Sequence, residues 1–591
     1  MIALAGLAFV IGAIVGASHS PSYAHELAER FTAAWSRSDY ASMYADIDAR
    51  AQREVTPSEF SSSYRSALTT ATAAPTGLRV AGKARSTSGG GVEVPVQVQT
   101  HLFGALSSDF TLPMRGSGSG TRIAWSRSLA FPGLRPGERL TRHTTLPRRA
   151  TLLARDGTVL AEGTAVEAGQ RASPLGSFAS AVVGTVGPIP AARLQALEAE
   201  GVPANAIVGV SGLELALDSS LRGTPGGELL AEGDGTSTSA GASTNAQVLA
   251  TATPKAASAV RTTVSPSVQQ AAVTALGGQF GGIVAMVPAT GQILAVAGIG
   301  LDDLQPPGST FKMITVTGVL QAGLATPKTV FPYATYATLD GVKLNNANGE
   351  ECGGTLALAF AVSCNSVFAP LGAKLGAARL VATAERYGFN HSPGIPGAVE
   401  STLPPASQIQ GQLDIGSTAI GQGEVQASAL EMATVAATIA DSGRRPQPTF
   451  DPSAAPARGG GTPVSSASVA HTVRSLMIGV VREGTGTAAA IPGVTVAGKT
   501  GTAELKTAST CTPSTEASTK KEPGSGETSS SESCHSAEDE ARNTDAWFAS
   551  FAPAFAPRIV VGVLLVQDGA GGATAAPVAR QVLEAGLQEG H

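Results

Sequence analysis

Charge is scarce in this chain of 591 residues: Asp, Glu, Lys and Arg together make up 14% of it, against about 25% in an average soluble protein. The 40 basic and 45 acidic side chains leave a net charge of −5, so the basic footprint of a nucleic-acid-binding protein is missing. Only ten lysines occur, which makes the position of each one informative. Cysteines number four, too few for a disulfide scaffold of this length. Long apolar runs are almost absent: only Met1 to Ala17 reads as one, which excludes a chain that crosses a membrane many times. What is present is apolar in a dispersed way. Hydrophobic residues are 43% and the mean hydropathy is +0.13, enough for packed cores and incompatible with disorder. At roughly 100 to 200 residues per domain, the length implies three to five domains.

The opening run predicts a membrane anchor or export signal over residues 1–18, although no Lys or Arg precedes Arg30. An uncleaved anchor is the expectation; Ser22-Tyr23-Ala24 is the cleavage site of the alternative. Either way the chain is expected at the cell membrane, held by a single N-terminal anchor with its domains outside the cytoplasm. Residues 25–131 read as a small α+β domain, an amphipathic helical stretch from His25 followed by strand-like alternation over Val92–Phe103 and Thr121–Phe131. Phe31 and Trp35, four apart on one helix face, read as core. Residues 132–258 alternate short strands with glycine-rich turns, and the Ser/Thr/Ala/Gly-rich stretch from Asp234 to Ser258 is a linker or a weakly specified hairpin. Residues 259–591 read as an α+β layered domain: a hairpin around Pro288-Ala289-Thr290-Gly291, helices after Phe311 and Ala429, strands over Ala546–Pro553 and Arg558–Gly569, and a helical tail from Ala575.

Residues 505–541 have almost no large apolar side chains and read as an inserted polar loop. Cys511 and Cys534 sit near its ends; bridged, they would close a loop worth about 3 kcal/mol in the chain-entropy account. Cys352 and Cys364 form a second possible pair. Four free thiols are the alternative to both.

Three short motifs carry chemistry. Pro306-Pro307-Gly308 stops the preceding chain and sets Ser309 at a helix start, with Lys312 on the same face three residues later. Serine needs a base within reach, and a lysine serves when burial or a second cation lowers its pKa. The spacing alone is weak, since Ser518 and Lys521 repeat it in the polar insertion. Ser363-Cys364-Asn365 ends an apolar stretch, and Ser243-Thr244-Asn245 is a second copy of that pattern. Lys499-Thr500-Gly501-Thr502 follows the strand-like run from Val494, where a strand end would offer a cation, two hydroxyls and a glycine permitting close backbone approach.

Taken in order, the three motifs resemble the active-site set of penicillin-binding proteins and class A β-lactamases. Surrounding text is similar to the penicillin-binding transpeptidases: Gly281–Gly298, Ala419–Ala433, Gly484-Thr485-Gly486-Thr487, and Asp545–Pro553. Gly209–Glu214 and Leu221–Gly227 resemble the pedestal, or dimerisation, domain of the class B members. Arg149–Gly157 is similar to that family's entry into the pedestal but carries Ala150 for a glycine and Ala154 for an aspartate. Residues 25–131 resemble an NTF2-like domain.

The resemblance implies a multidomain α+β protein with a β-rich pedestal and a C-terminal serine penicillin-recognising domain. It implies a peptidoglycan D,D-transpeptidase: Ser309 attacks the penultimate D-alanine of a D-Ala-D-Ala stem, Lys312 takes its proton, and the N–H groups of Ser309 and Thr502 form the oxyanion hole. Ser363 relays a proton to the leaving D-alanine, Asn365 holds the acyl amide and orients Lys312, and Lys499, Thr500, Gly501 and Thr502 line the carboxylate pocket. β-Lactams would acylate Ser309, no metal or organic cofactor is expected, and a membrane glycosyltransferase or a division or elongation complex is the implied partner. A D,D-carboxypeptidase, or a cell-wall scaffold or β-lactam sensor whose turnover is incidental, are the competing readings.

Overall fold

The computed structural model describes residues 22–167, 169–233, 246–454, 459–504 and 544–589. The expected anchor over 1–18, Ser243-Thr244-Asn245, and the insertion with Cys511, Ser518, Lys521 and Cys534 lie outside the described residues. No single described helix is long and apolar enough to cross a membrane. The chain divides into two compact units, one comprising 1–150, 187–208 and 222–258, the other 151–186, 209–221 and 259–591.

In the first unit, helices Tyr23–Ser36, Tyr40–Ala45, Ala49–Glu54 and Pro57–Thr70 precede a four-stranded antiparallel sheet containing Val92–Thr100 and Ala105–Leu112. Thr56 and Glu59 close a reciprocal capping box at the start of the last helix. Strict alternation in Val92–Thr100 buries Val92, Val94, Val96 and Val98 on one face. Phe31 and Trp35 are fully buried there, with Trp35 edge-on to Tyr64 at 4.8 Å between ring centroids. The expected strand over Thr121–Phe131 shrinks to Arg122–Ile123, followed by a 3₁₀ turn at Arg127–Ala130. Four consecutive residues, Ser128 to Phe131, are buried, which a turn can arrange and an alternating strand cannot. Of the stretch Asp234–Ser258, residues 234–245 lie outside the described residues; its described part, Gln247–Ala252, pairs antiparallel with Gly226–Gly233, which also pairs with Glu138–Thr145.

The second unit is built on strands β1 (Gly281–Met286), β2 (Ile293–Gly298), β3 (Ala497–Glu504), β4 (Thr544–Ala552) and β5 (Ile559–Leu565). They form one antiparallel sheet in the order β2-β1-β5-β4-β3. Its principal helices are α1 (Pro266–Leu276), α2 (Lys312–Gln321), α3 (Leu356–Ala361), α4 (Asn365–Leu375), α5 (Ala429–Ala440), α6 (Ala467–Glu483) and α7 (Ala575–Gln588). Strands β1, β4 and β5 are buried at every position, so their side chains need cover on both faces. Helices α1 and α7 supply one cover, in a core with Ile283, Phe548, Val561 and Leu583. Helix α5 supplies the other, and Gly562 lets it come close: a Cβ there would stand 2.5 Å from the Ala429 carbonyl oxygen. Each fully buried Val, Leu, Ile or Phe contributes about 1.5 to 3 kcal/mol, so this two-sided burial dominates what holds the unit together.

Candidate active site

The three motifs arrive on three different elements. Ser309 lies in a 3₁₀ turn, Gly308–Phe311, that runs directly into α2, whose first residue is Lys312. Lys499 lies near the start of β3, which continues through Thr502 to Glu504 rather than ending at the motif. Ser363 and Asn365 occupy the turn between α3 and the start of α4.

Glycines allow the serine turn to lie against β3. Gly308 has φ +50°, and a Cβ on it would stand 2.8 Å from the Thr502 carbonyl oxygen; one on Gly501 would stand 2.7 Å from that of Pro307. The side with Asn365 is fastened differently. A disulfide joins Cys364 to Cys352, with the Cα atoms 5.8 Å apart. Asn346 accepts from the Ser366 N–H at 2.7 Å and donates to the Ala334 and Glu350 carbonyls. Asn365 donates through Nδ2 to the Asn345 carbonyl at 3.0 Å. Between these fixings Ser363 adopts φ +62°, a left-handed conformation that non-glycine residues hold only when neighbours enforce it.

At the centre is Lys312 Nζ. It lies 2.9 Å from Ser309 Oγ, 2.7 Å from the Ser363 carbonyl oxygen, 2.6 Å from Asn365 Oδ1 and 3.3 Å from Ser363 Oγ. Two of these partners, the carbonyl and the amide oxygen, can only accept. A neutral amine satisfies both with its two N–H groups and keeps a lone pair for the Ser309 hydroxyl. The environment favours that neutral form: full burial pushes the lysine well below its ordinary value, and the nearby Lys499 ammonium pushes it further down.

Lys499 is also fully buried, and burial lowers it to about 7. Its Nζ donates to Ser363 Oγ at 2.8 Å and to the Thr500 carbonyl at 3.1 Å. Ser363 Oγ therefore sits between the two lysines. Each lysine also meets an aromatic face, Lys312 at 5.6 Å from the Phe368 ring centre and Lys499 at 5.5 Å from that of Phe360. The two rings pack edge to face at 5.7 Å.

Five of the expected residues, Ser309, Lys312, Ser363, Asn365 and Lys499, thus share one connected hydrogen-bond network. Thr500 and Thr502 extend along β3: Thr500 Oγ1 is 2.6 Å from Thr485 Oγ1, and Thr502 Oγ1 accepts from the Gly571 N–H at 3.4 Å. Residue-level reading gave Thr485, Phe360 and Phe368 no place. Thr485 had a signal in the Gly484-Thr485-Gly486-Thr487 run; the two phenylalanines had only their spacing, three before Ser363 and three after Asn365.

Comparison with known proteins places this geometry. Three family descriptions match: "Penicillin binding protein transpeptidase domain" over residues 281–584, "Penicillin-binding Protein dimerisation domain" over 163–236, and "NTF2-like N-terminal transpeptidase domain" over 23–138. The peptidoglycan D,D-transpeptidase PbpA of Mycolicibacterium smegmatis is 33% identical over 401 residues, which cover 56% of this chain and 73% of that protein. PbpA of Mycobacterium tuberculosis is 32% identical over 391 residues, covering 56% and 72%. Among solved structures, the D,D-transpeptidase domain of a peptidoglycan glycosyltransferase from Eggerthella lenta is similar at 30% identity and TM-score 0.54, over 74% of this chain and 98% of that one. The penicillin G acyl-enzyme of M. tuberculosis penicillin-binding protein A is similar at 27% identity and TM-score 0.53, over 75% and 100%.

Proposed function

Because the chain belongs to the penicillin-binding protein transpeptidase family, we propose that it cross-links peptidoglycan as a serine D,D-transpeptidase whose nucleophile is Ser309. The observation that carries the assignment is the 2.9 Å contact between Ser309 Oγ and a buried lysine whose other partners hold it as a neutral base.

The chemistry follows from the partners. Lys312 takes the Ser309 proton as Oγ bonds to the carbonyl carbon of the penultimate D-alanine. The oxyanion faces the N–H groups of Ser309 and Thr502; that of Ser309 lies in a first turn, where donors have no partner within the helix. Collapse breaks the peptide bond. The leaving D-alanine amine receives its proton through Ser363 Oγ, which touches both lysines. An amine from a second stem then attacks the acyl carbon, the ester bond to Ser309 Oγ breaks, and the amine's proton returns to Oγ through Ser363 and Lys312. Lys499, charged, with the hydroxyls of Thr500 and Thr502 and the close backbone at Gly501, holds the stem carboxylate. Asn365 positions Lys312 and the acyl amide.

M. tuberculosis penicillin-binding protein A forms acyl-enzymes with penicillin G and imipenem, and the strained β-lactam amide would acylate Ser309 by the same steps. The reading also divides the chain into an NTF2-like domain over 25–131, a pedestal over 132–258 and the transpeptidase domain over 259–591. Residues 1–18 anchor it in the cell membrane with the catalytic part outside, where a membrane glycosyltransferase supplies new strands.

Intact-protein mass after mixing with benzylpenicillin tests the nucleophile. A stoichiometric adduct on the wild type and none on Ser309→Ala is expected; an adduct on both places the nucleophile elsewhere. Product analysis on stem-peptide dimers separates transfer to an amine from transfer to water.

A further inference from the structure

Ten large apolar side chains are exposed among the described residues, and five of them fall between Val330 and Leu358. They are Val330, Tyr333, Tyr336, Val342 and Leu358, with Tyr333, at 60%, the more open of the two tyrosines. Such clustering on a protein with few aromatics marks a surface that meets something. The segment forms two short hairpin-like sheets, Val330–Ala334 with Cys352–Thr355 and Tyr336–Leu339 with Val342–Asn345.

Two features make this surface specific. It is rigid: Asn346 ties the two sheets through the Ala334 carbonyl at 2.7 Å, and the disulfide at Cys352 fastens them to the start of α4. A preformed aromatic surface loses little freedom when it binds. It is also continuous with the active site. Tyr336 lies directly opposite Asn345 in the register, and the Asn345 carbonyl is the acceptor for Asn365, the residue that holds Lys312.

The surface is amphipathic rather than uniformly apolar. Lys343 Nζ lies 4.2 Å from the Tyr336 ring centre and covers one face of the ring. Thr338 and Lys343 face each other across the strands beside the Tyr336–Asn345 pair. The Tyr333 hydroxyl and the Leu358 side chain converge over Gly354, each 3.1 Å from where a Cβ on that glycine would be. Aromatic planes with hydroxyl, amide and ammonium groups at their edges suit pyranose rings, whose C–H faces are apolar and whose rims donate and accept hydrogen bonds. An obligate protein partner would instead call for a more continuous apolar centre.

We infer that the Tyr333–Tyr336 surface is a docking site for the glycan strand that carries the stem peptide. The inference rests on the transpeptidase reading, which supplies the tether. With the D-Ala-D-Ala end at Ser309, a short stem spans only roughly 3.3 to 3.6 Å per extended residue on its way back to the sugar. A muramic acid ring must therefore lie close to the cleft, and these rings stand on its Asn365 side. Tyr333 and Tyr336 are positioning residues here, since they contact neither the scissile bond nor the active-site lysines Lys312 and Lys499.

The test uses the full chain and glycan strands from which an amidase has removed the stems, with binding followed by co-sedimentation and acylation by benzylpenicillin measured in parallel. Tyr333→Ser/Tyr336→Ser is expected to weaken glycan binding about tenfold, the loss of roughly 1.4 kcal/mol of stacking, while acylation stays within about twofold. Tyr333→Phe/Tyr336→Phe, which keeps the rings and loses only the hydroxyl contacts, is expected to retain most of the binding that the Ser double variant loses. Ser309→Ala is expected to lose acylation and keep glycan binding, so failure of the catalytic reading and failure of this one are distinguishable. Equal glycan binding by the Ser double variant overturns the inference, as does a parallel fall in acylation, which would make the tyrosines supports of the cleft. Unchanged glycan binding with loss of function in cells would assign the surface to a protein partner instead.

Discussion

Ser363 Oγ lies 3.3 Å from Lys312 Nζ and accepts from Lys499 Nζ at 2.8 Å, so one hydroxyl stands between a base that must be neutral and a cation that must stay charged. Acylation should therefore depend on pH at both ends. The rate of benzylpenicillin acylation at low concentration is expected to rise as pH climbs through the depressed Lys312 value. It should then fall as pH climbs through about 7, where Lys499 loses its charge. Lys499→Arg, which cannot deprotonate, is expected to lower the maximum and abolish the alkaline fall; a fall that persists would assign it to another group. The rings behind the lysines should act separately. Phe360→Leu removes a cation-stabilising face from Lys499, so the alkaline limb should move down by up to roughly one unit. Phe368→Leu should move the acid limb, since that ring faces Lys312. Identical effects on both limbs would mean that the phenylalanines act only as packing.

The elements show which of these devices a sequence can reveal. Helix α7 and strands β4 and β5 were legible because their apolar runs are local, and the order of the three motifs was legible because each sits within a few residues. The left-handed Ser363 was not, because its conformation is imposed by a partner strand and a disulfide rather than by its own neighbours. Nor were Phe360 and Phe368, whose meaning depends on α3 and α4 folding back on each other. If the Cys352–Cys364 bond braces Ser363, Cys364→Ser should slow acylation by about tenfold, a cost of roughly 1.4 kcal/mol at the barrier; an unaltered rate would count against the brace. Helix α5 gives a further prediction. Glu431 is buried on it, and burial raises the carboxyl to about 8 although Arg445 opposes this. Below pH 4.5 the group is protonated whether folded or not; between there and about 8 the folded chain holds more protons, so stability falls as pH rises through that window. Glu431→Gln should therefore match the wild type near pH 4.5 and unfold at higher temperature by pH 8; a constant difference in Tm would exclude the carboxyl as its origin.

At the scale of the molecule, composition shifts divide the chain at Ser258, but the compact unit that holds Ser309 also takes in residues 151–186 and 209–221. Those upstream segments are woven into it. Leu152 and Leu153 pair in parallel with Val260 and Arg261, and the Arg155 N–H donates to the Val264 carbonyl at 2.9 Å. The Gln269 side chain, fully buried on α1, donates to the Phe178 carbonyl at 3.1 Å. Linear composition cannot show this, because a strand pairing across about a hundred residues leaves no local mark. A fragment beginning at Ala259 would strip these partners from α1 and leave Gln269 short of an acceptor, where each buried unsatisfied group costs about 1 to 3 kcal/mol. We therefore expect residues 259–591 alone to unfold at a markedly lower temperature than residues 132–591, and to lose benzylpenicillin acylation on mild warming first. Equal melting of the two fragments would show that the upstream segments only decorate the catalytic unit. A lower melting point restored by adding back residues 151–186 and 209–221 within the longer chain would show that the segments called pedestal by resemblance are part of what keeps Ser309, Lys312 and Lys499 in register.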